Sequence, residues 1–153
     1  IELKPMKEND TVAKKTIELI RKYNMEDEVV ITSLNYNCLM EAKSYDPMIK
    51  YGYIIAVSAG ELKDIDVDFL SIESSLVNPE LITKIHDMNK EIHAWTIDSK
   101  DTAEDMIALG VDNIITDDVP MVHKIKNSMD WSSRNYLQFY LESIVNIGKY
   151  ARI

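Results

Sequence analysis

The sequence predicts an α/β fold of the (βα)8 barrel type, with about six of the eight βα units present. Short β-branched runs alternate with helix-like segments, which favours a parallel sheet. Most of these runs are continuously apolar, as is typical of parallel strands buried on both faces. No Gly-x-Gly-x-x-Gly follows a strand, and the chain has only four glycines. This disfavours an open dinucleotide-binding sheet and leaves the barrel as the preferred interpretation.

Six strands are predicted in order along the chain. They are IEL at residues 1–3, EVVITSL at 28–34, YGYIIAV at 51–57, VDFLSIE at 67–73, EIHAWTI at 91–97 and VDNIITD at 111–117. The stretch at 58–66 is short, so we expect one abbreviated crossover.

The helices between these strands have recognisable ends. Asn9 or Asp10 is a candidate N-cap for the first, and Asn78 followed by Pro79 begins another. Ser99 can cap a helix that stops at Gly110, and Pro120 is expected to open the last one of the barrel.

The chain divides into a barrel-type region at residues 1–129 and an amphipathic C-terminal helix at residues 130–153. The apolar stripe of this helix consists of Leu137, Tyr140, Leu141, Ile144 and Val145. We expect the helix to pack on its own domain, and a partner-binding or dimer helix is the alternative.

Composition excludes several classes of function. The net charge is −9 with no basic cluster, so nucleic acid is not an expected partner. Cys38 is the only cysteine, which excludes an intrachain disulfide and a cysteine-rich zinc site. No apolar run approaches the roughly 20 residues of a membrane span. We expect a soluble domain, and its start at Ile1 within a strand pattern suggests a piece of a longer protein.

Polar side chains collect at the predicted carboxyl ends of the strands, where parallel α/β folds carry their reactive groups. They are Glu2, Lys4, Ser33, Asn35, Ser71, Glu73, His93, Trp95, Thr116, Asp117 and Asp118.

Each of these residues also has a purely structural interpretation. Glu2 and Lys4 share one face of a strand, either as an ion pair at a frayed end or as half of a site. Asn35 and Asp118 are better explained as helix caps, and His93 as a hydrogen-bonded core residue rather than a metal ligand. Trp95 could fill the core or form the wall of a pocket. The other two histidines, His86 and His123, lie on predicted helices and are expected to be exposed.

Four segments together resemble a known family. IELKP, VVITSLNY, SIESSLVNPELITKIHDMNKEIHAWTID and MIALGVDNIITDD are similar to the C-terminal two thirds of the glycerophosphodiester phosphodiesterase domain. The resemblance runs from residue 1 to about residue 125 and begins at the third strand of the barrel, so residues 1–129 would hold the third to eighth strands. It implies a (βα)8 barrel that hydrolyses glycerophosphodiesters to glycerol phosphate and an alcohol with Ca²⁺ or Mg²⁺.

The resemblance also assigns roles to individual residues. Glu2 matches a metal-binding carboxylate, Lys4 the lysine that faces the substrate phosphate, and Trp95 the tryptophan that lines the glycerol pocket. Glu73 and Ser33, at the ends of the fourth and second predicted strands, are further candidates for substrate binding. A hard cation requires carboxylate oxygen and a phosphate favours a nearby ammonium, which explains why Glu and Lys would share one face.

The sequence departs from the family in its catalytic motifs. The family's HRG motif on the first barrel strand, its Glu-x-Asp pair on the second and the His-Asp pair shortly after have no counterpart in the segments of this chain that match the family, which begin at the third strand. We therefore expect no catalytic residue here and no turnover by this chain alone. Leu34 replaces a family phenylalanine, and Asp98 replaces an asparagine. A non-catalytic binding or assembly module derived from a barrel is the alternative function. A different phosphate-binding barrel is disfavoured, since TDDVPM offers no glycine-rich loop.

Six strands of an eight-stranded barrel leave two open sheet edges. We expect the C-terminal helix, a second copy of the chain or the missing barrel segment to cover them, so self-association through these edges or through the helix is predicted. Compartment stays open, because related domains occur in the cytoplasm, outside cells and attached to membrane segments.

Overall fold

The computed structural model describes residues 1–6, 11–55 and 65–128. Its six strands are β1 (Glu2–Leu3), β2 (Val30–Ser33), β3 (Lys50–Ile55), β4 (Phe69–Glu73), β5 (Glu91–Trp95) and β6 (Asn113–Ile114). Its α-helices are α1 (Val12–Tyr23), α2 (Tyr36–Tyr45), α3 (Pro79–Asp87), α4 (Lys100–Leu109) and α5 (Val119–Ser128), and a 3₁₀ turn spans Ser74–Leu76.

The six strands form one parallel sheet in chain order from β1 to β6. The predicted α/β architecture is therefore confirmed. β1 and β6 are shorter than the sequence pattern predicted, since each pairs with a described strand on one side only.

Side chains cap four of the helices. Asn35, Asn78 and Ser99 accept hydrogen bonds from the backbone N–H of Cys38, Leu81 and Thr102, respectively. Asp118 does the same for Met121, and α5 begins at Val119, one residue before the predicted Pro120.

Two further helix predictions can be compared with the structure. Gly110 ends α4 with a φ of 89°, a left-handed conformation that glycine adopts without strain. The predicted caps Asn9 and Asp10 lie outside the described residues, and α1 follows Thr11.

Two other predicted segments fall wholly or mostly outside the described residues. They are most of the abbreviated crossover at 58–66 and the C-terminal helix at 130–153. The longest described helix, α1, has 12 residues, so no helix in the described ranges could cross a bilayer.

The two faces of the sheet differ in character. One face, which we call the outer face, carries Leu3, Ile31, Leu70 and Ile92, all almost completely buried in a single core together with residues from the helices. This burial of large apolar side chains is the main source of stability. The opposite, inner face is the one that lines the interior of a barrel.

The registers of the strand pairs place specific residues on the inner face. One row crosses five strands as Glu2, Thr32, Gly52, Phe69 and Glu91. The Phe69 ring is buried and stacks on His93, with ring centroids 3.9 Å apart.

Gly52 is required by the close approach of the Phe69 ring. A Cβ atom at position 52 would lie 1.9 Å from a carbon of that ring. The absence of a side chain at Gly52 therefore makes room for the Phe69 ring on the inner face of the sheet.

Two aspartates join neighbouring strands at their amino-terminal ends. The carboxylate of Asp68 accepts a hydrogen bond from the backbone N–H of Tyr51 at 2.7 Å. Asp112 accepts one from the N–H of Ile92 at 2.8 Å. Each aspartate follows a valine and immediately precedes a strand, so the same local arrangement occurs twice. Each carboxylate accepts a hydrogen bond from a backbone N–H that lies one residue before the first register pair of the two strands.

Candidate functional site

A cavity of about 440 Å³ lies at the carboxyl-terminal rim of the strands. Its polar lining comes from Glu2, Thr32, Ser71 and Thr96, and its apolar lining from Leu34, Ile54, Trp95 and Ile115. These residues belong to, or directly follow, all six strands. The cavity thus lies where parallel α/β folds carry their functional groups, as predicted.

Glu2 and Lys4 lie together at one side of this cavity. The Lys4 ammonium nitrogen is 3.1 Å from a carboxylate oxygen of Glu2. The Glu2 side chain is 35% exposed and the Lys4 side chain 73% exposed, so a small ligand could reach both groups. This geometry is compatible both with a structural ion pair at a strand end and with one part of a ligand-binding site.

Trp95 forms another wall of the cavity, where β5 ends. Its indole N–H is buried and has no hydrogen-bond partner in the described part of the chain. An unsatisfied buried donor is rare and calls for an explanation. Because the ring lines the cavity, the structure supports the interpretation of Trp95 as a pocket wall.

Asp98 holds together two loops of the rim. One of its carboxylate oxygens accepts hydrogen bonds from the Thr116 hydroxyl at 3.2 Å and from the Asp117 backbone N–H at 2.8 Å. Thr116 in turn accepts a bond from the N–H of Asp118, the cap of α5. The loops after β5 and β6, which contribute Thr96 and Ile115 to the cavity, are therefore fixed relative to each other.

Ser33 does not reach the cavity. Its fully buried hydroxyl donates to the Leu3 carbonyl and accepts from the Asn35 N–H, on the outer face of the sheet. The interpretation of Ser33 as a substrate-binding residue is not supported by this geometry, because one step along a strand reverses the face.

Glu73, unlike Ser33, lies on the same face of the sheet as the cavity. It pairs in register with Trp95, which places it on the inner face at the end of β4. Its carboxylate accepts a hydrogen bond from the Ser75 hydroxyl. Glu73 lies beside the cavity without lining it.

His93 lies deeper on the inner face and is almost completely buried. Its ring contacts Glu91 through Nε2 at 3.1 Å and the Asn113 side chain through Nδ1 at 3.4 Å. Burial lowers the pKa of His93, and the neighbouring Glu91 opposes that shift. His93 is therefore a hydrogen-bonded interior residue, as the sequence indicated. His86 and His123 are exposed, also as expected.

Glu91 connects His93 to the surface. Its carboxylate bonds with Lys50 at 3.0 Å as well as with His93. These two hydrogen bonds, the Lys50 bond foremost, lower the pKa of Glu91, and the pKa of Lys50 is raised in turn. This network is distinct from the rim cavity.

Several lining residues were missed by sequence reasoning, namely Thr32, Ile54, Thr96 and Ile115. They lie on strands or directly after them and have no distinctive chemistry. The alternation of side chains along each strand could have indicated them, starting from Glu2 and Ser71. This alternation assigns a residue to a face of the sheet only when the register of the strands is known.

The described residues do not form a cation site by themselves. They contain no group of three or more His, Cys, Asp or Glu side chains arranged to hold a metal. Among the residues that the structure describes, Glu2 is the one carboxylate that lines the cavity. Ca²⁺ takes about 6–8 oxygen ligands, and Mg²⁺ requires near-octahedral coordination, so one carboxylate is insufficient for either ion.

Comparison with known proteins identifies the relatives of this chain. The model of the glycerophosphoryl diester phosphodiesterase family matches residues 2–121. A glycerophosphodiester phosphodiesterase of Caldanaerobacter subterraneus subsp. tengcongensis is 32% identical over 111 residues, which cover 70% of this chain and 46% of that protein. The chain thus spans about half the length of this curated relative.

Solved structures show the same fold. A phosphodiesterase from Oleispira antarctica, in complex with the product sn-glycerol-3-phosphate, matches with a TM-score of 0.73 and 21% identity, over 83% of this chain and 54% of that one. A glycerophosphodiester phosphodiesterase from Parabacteroides distasonis matches with a TM-score of 0.75 and 23% identity, over 83% and 56%. The predicted barrel-type fold is confirmed. Together with the family match over residues 2–121, these findings show that the chain belongs to the glycerophosphoryl diester phosphodiesterase family.

Proposed function

We propose that the whole protein hydrolyses glycerophosphodiesters to glycerol phosphate and an alcohol, and that this chain supplies substrate-binding groups for the reaction. The observation that carries the proposal is the rim cavity, which joins the Glu2–Lys4 pair to the Trp95 wall in a chain of this family.

Lys4 is proposed to bind the phosphate. Its exposed ammonium can form charge-assisted hydrogen bonds with phosphate oxygens and stabilise the negative charge that they carry. Trp95 and the neighbouring apolar lining would contact the carbon chain of the glycerol moiety. A substrate oxygen near the indole would provide the acceptor that its N–H lacks among the described residues. Glu73 is proposed as a secondary contact beside the cavity.

Glu2 is proposed as one ligand of a divalent cation, Ca²⁺ or Mg²⁺. When bound, such an ion polarises a phosphoryl oxygen. The remaining ligands do not come from the described residues, so we assign no reaction step to the ion.

The described residues contribute no acid–base pair to this cavity. All three histidines of the sequence lie elsewhere, His93 in the interior network and His86 and His123 on exposed helix surfaces. We therefore propose that this chain alone does not turn over substrate.

The test is release of glycerol 3-phosphate from glycerophosphocholine by the whole protein with Ca²⁺ or Mg²⁺. Glu2→Gln and Lys4→Met should each lower kcat/KM by at least about tenfold, the loss of one charged interaction. The matched controls are Glu28→Gln and Lys22→Met, which remove the same charges from exposed positions outside the cavity. Activity unchanged in both site variants would refute the assigned roles.

A binding or assembly module is the second candidate function. It is favoured by the position of the histidines and by the lack of a complete cation site in the described ranges. If the whole protein binds glycerol 3-phosphate in a Lys4-dependent manner but releases none from any glycerophosphodiester, this second function replaces the first.

A further inference from the structure

Ser71 is a buried polar residue of the rim cavity whose side chain has no structural partner so far. It lies on β4, lines the cavity and is only 2% exposed. Its hydroxyl oxygen has no hydrogen-bond partner among the residues that the structure describes. Buried polar side chains are normally paired, so an unpaired hydroxyl that lines a cavity calls for a ligand that completes its hydrogen bonding.

Ser33 shows the alternative use of a buried serine in the same sheet. It is fully buried at the end of β2, and its hydroxyl donates to the Leu3 carbonyl and accepts from the Asn35 N–H. Ser33 faces the helices, whereas Ser71 faces the cavity. Of these two buried serines, Ser71 is therefore the one whose hydrogen-bonding groups are available to a ligand.

Trp95 supplies another unpaired group at the same cavity, since its buried indole N–H lacks an acceptor in the described ranges. The register of β4 and β5 pairs Ser71 with His93, so Trp95 lies two residues further along the neighbouring strand and on the same face. With strands about 4.8 Å apart and a rise of about 3.3 Å per residue, the Cα atoms of Ser71 and Trp95 are roughly 8 Å apart. Side chains at this spacing can both contact one small group between them.

The chemistry of these two groups selects the class of ligand. The indole N–H can only donate a hydrogen bond, whereas the serine hydroxyl can both accept and donate. A ligand hydroxyl can accept from the indole and donate to Ser71, which satisfies both groups at once. A ligand carbon can do neither, and it would leave the buried N–H of Trp95 without a partner.

We propose that Ser71 is a specificity-determining residue that binds, together with Trp95, one free hydroxyl of the glycerol moiety. The inference rests on the proposed function, in which Lys4 binds the phosphate and Trp95 contacts the glycerol carbons. It adds the requirement that the carbon chain of the substrate carries a hydroxyl. A site built to hydrogen-bond a hydroxyl rejects an analogue that lacks it, because the groups of the site are then left unpaired.

Titration calorimetry of the whole protein with two ligands tests the proposal. Glycerol 3-phosphate and propyl phosphate share the phosphate and the three-carbon chain, but propyl phosphate has no hydroxyl on that chain. In the unaltered protein the Kd for propyl phosphate should be higher by at least about tenfold. Ser71→Ala should reduce this ratio of the two Kd values by at least about threefold, because it weakens the binding of glycerol 3-phosphate alone.

Ser33→Ala is the matched control, since it removes a buried serine hydroxyl from the other face of the sheet. It should lower the melting temperature, because the Leu3 carbonyl and the Asn35 N–H lose their partner, but it should keep the Kd ratio of the unaltered protein. Ser71→Ala should leave the melting temperature nearly unchanged, because its hydroxyl has no partner among the described residues.

Equal Kd values for the two ligands in the unaltered protein would overturn the proposal without any variant. An unchanged ratio in Ser71→Ala, or an equal fall in Ser33→Ala, would also overturn it. Lys4→Met distinguishes this inference from the proposed function, because it should weaken the binding of both ligands by a similar factor and preserve their ratio. Unchanged affinities in Lys4→Met would refute the phosphate site, whereas the Kd ratio alone decides the role of Ser71.

Discussion

The ammonium of Lys4 lies 3.1 Å from the carboxylate of Glu2, and Glu2 lines the same cavity as Trp95. Exposed ion pairs of this kind stabilise a fold by only about 0–1 kcal/mol. The pair therefore contributes little to the stability of the fold. Glu2 lies on β1 and Lys4 directly follows this strand, at the i and i+2 spacing that directs both side chains to one face in extended backbone.

Lys4→Met should weaken ligand binding while it leaves the stability of the fold almost unchanged. We expect the free energy of unfolding to change by less than about 1 kcal/mol, since the ion pair is exposed. The Kd for glycerol 3-phosphate should rise by about tenfold or more, since a charge-assisted contact is lost. Urea denaturation and titration calorimetry measure the two quantities on the same sample. A large loss of stability with unchanged affinity would show that the pair is structural.

Gly52→Ala should destabilise the fold through a clash with Phe69. The added Cβ would lie 1.9 Å from the ring, which is held by its stack on His93. Overpacking of this kind costs about 1–3 kcal/mol. In the double variant with Phe69→Ala, the combined loss should be smaller than the sum of the single losses by at least about 1 kcal/mol. Strictly additive losses in urea denaturation would argue against the contact.

Asp68→Ala should remove the acceptor for the Tyr51 N–H. An N–H left without a partner at the start of a buried strand costs about 1–3 kcal/mol. Asp68→Asn keeps a side-chain oxygen at the same position and should recover at least half of that loss. Thermal or urea unfolding compares the two variants directly, and equal losses would mean that charge, rather than the hydrogen bond, is responsible.

His93 should make stability depend on pH below neutrality. Burial lowers the pKa of folded His93, whereas the unfolded residue takes up a proton near its ordinary value of about 6.5. As pH falls through that value, the unfolded state binds more protons and becomes favoured. Between pH 7.5 and 5.5 we expect a loss of about 1 kcal/mol.

The matched variants are His93→Gln and His123→Gln, followed by urea denaturation at both pH values. His93→Gln should lose less stability between the two pH values than the unaltered chain does. His123→Gln should lose as much as the unaltered chain, because His123 is exposed. The pKa of Glu91 is also lowered from its ordinary value near 4.5, but that contribution is lost only at lower pH. A pH dependence that is unaltered in His93→Gln would contradict the assignment.

Local signals in the sequence were reliable because they act within a few residues. Asn78 with Pro79 and Ser99 with Gly110 mark helix ends in the structure as they do in the sequence. Each of these ends depends on one side chain and its nearest backbone groups. The parallel sheet followed from the apolar runs, since only burial on both faces makes such runs favourable.

The composition of the cavity was harder to predict, because it depends on how the strands are aligned. Glu2 and Ser33 both stand at the ends of predicted strands, yet one lines the cavity and the other faces the helices. Strand alignment is set by packing over the whole sheet, which no single segment encodes. The role of Asp98, which joins two loops distant in sequence, was hidden for the same reason.

The amide contacts of Asp68 and Asp112 lie at the opposite ends of the strands from Leu34 and Ile115. The hydrogen bonds that join the strands and the lining of the rim cavity are thus located in separate regions of the scaffold. Substitutions that change the size of the rim cavity should therefore leave these hydrogen bonds between the strands intact. We expect natural variants of this scaffold to differ mainly in the residues that surround the opening.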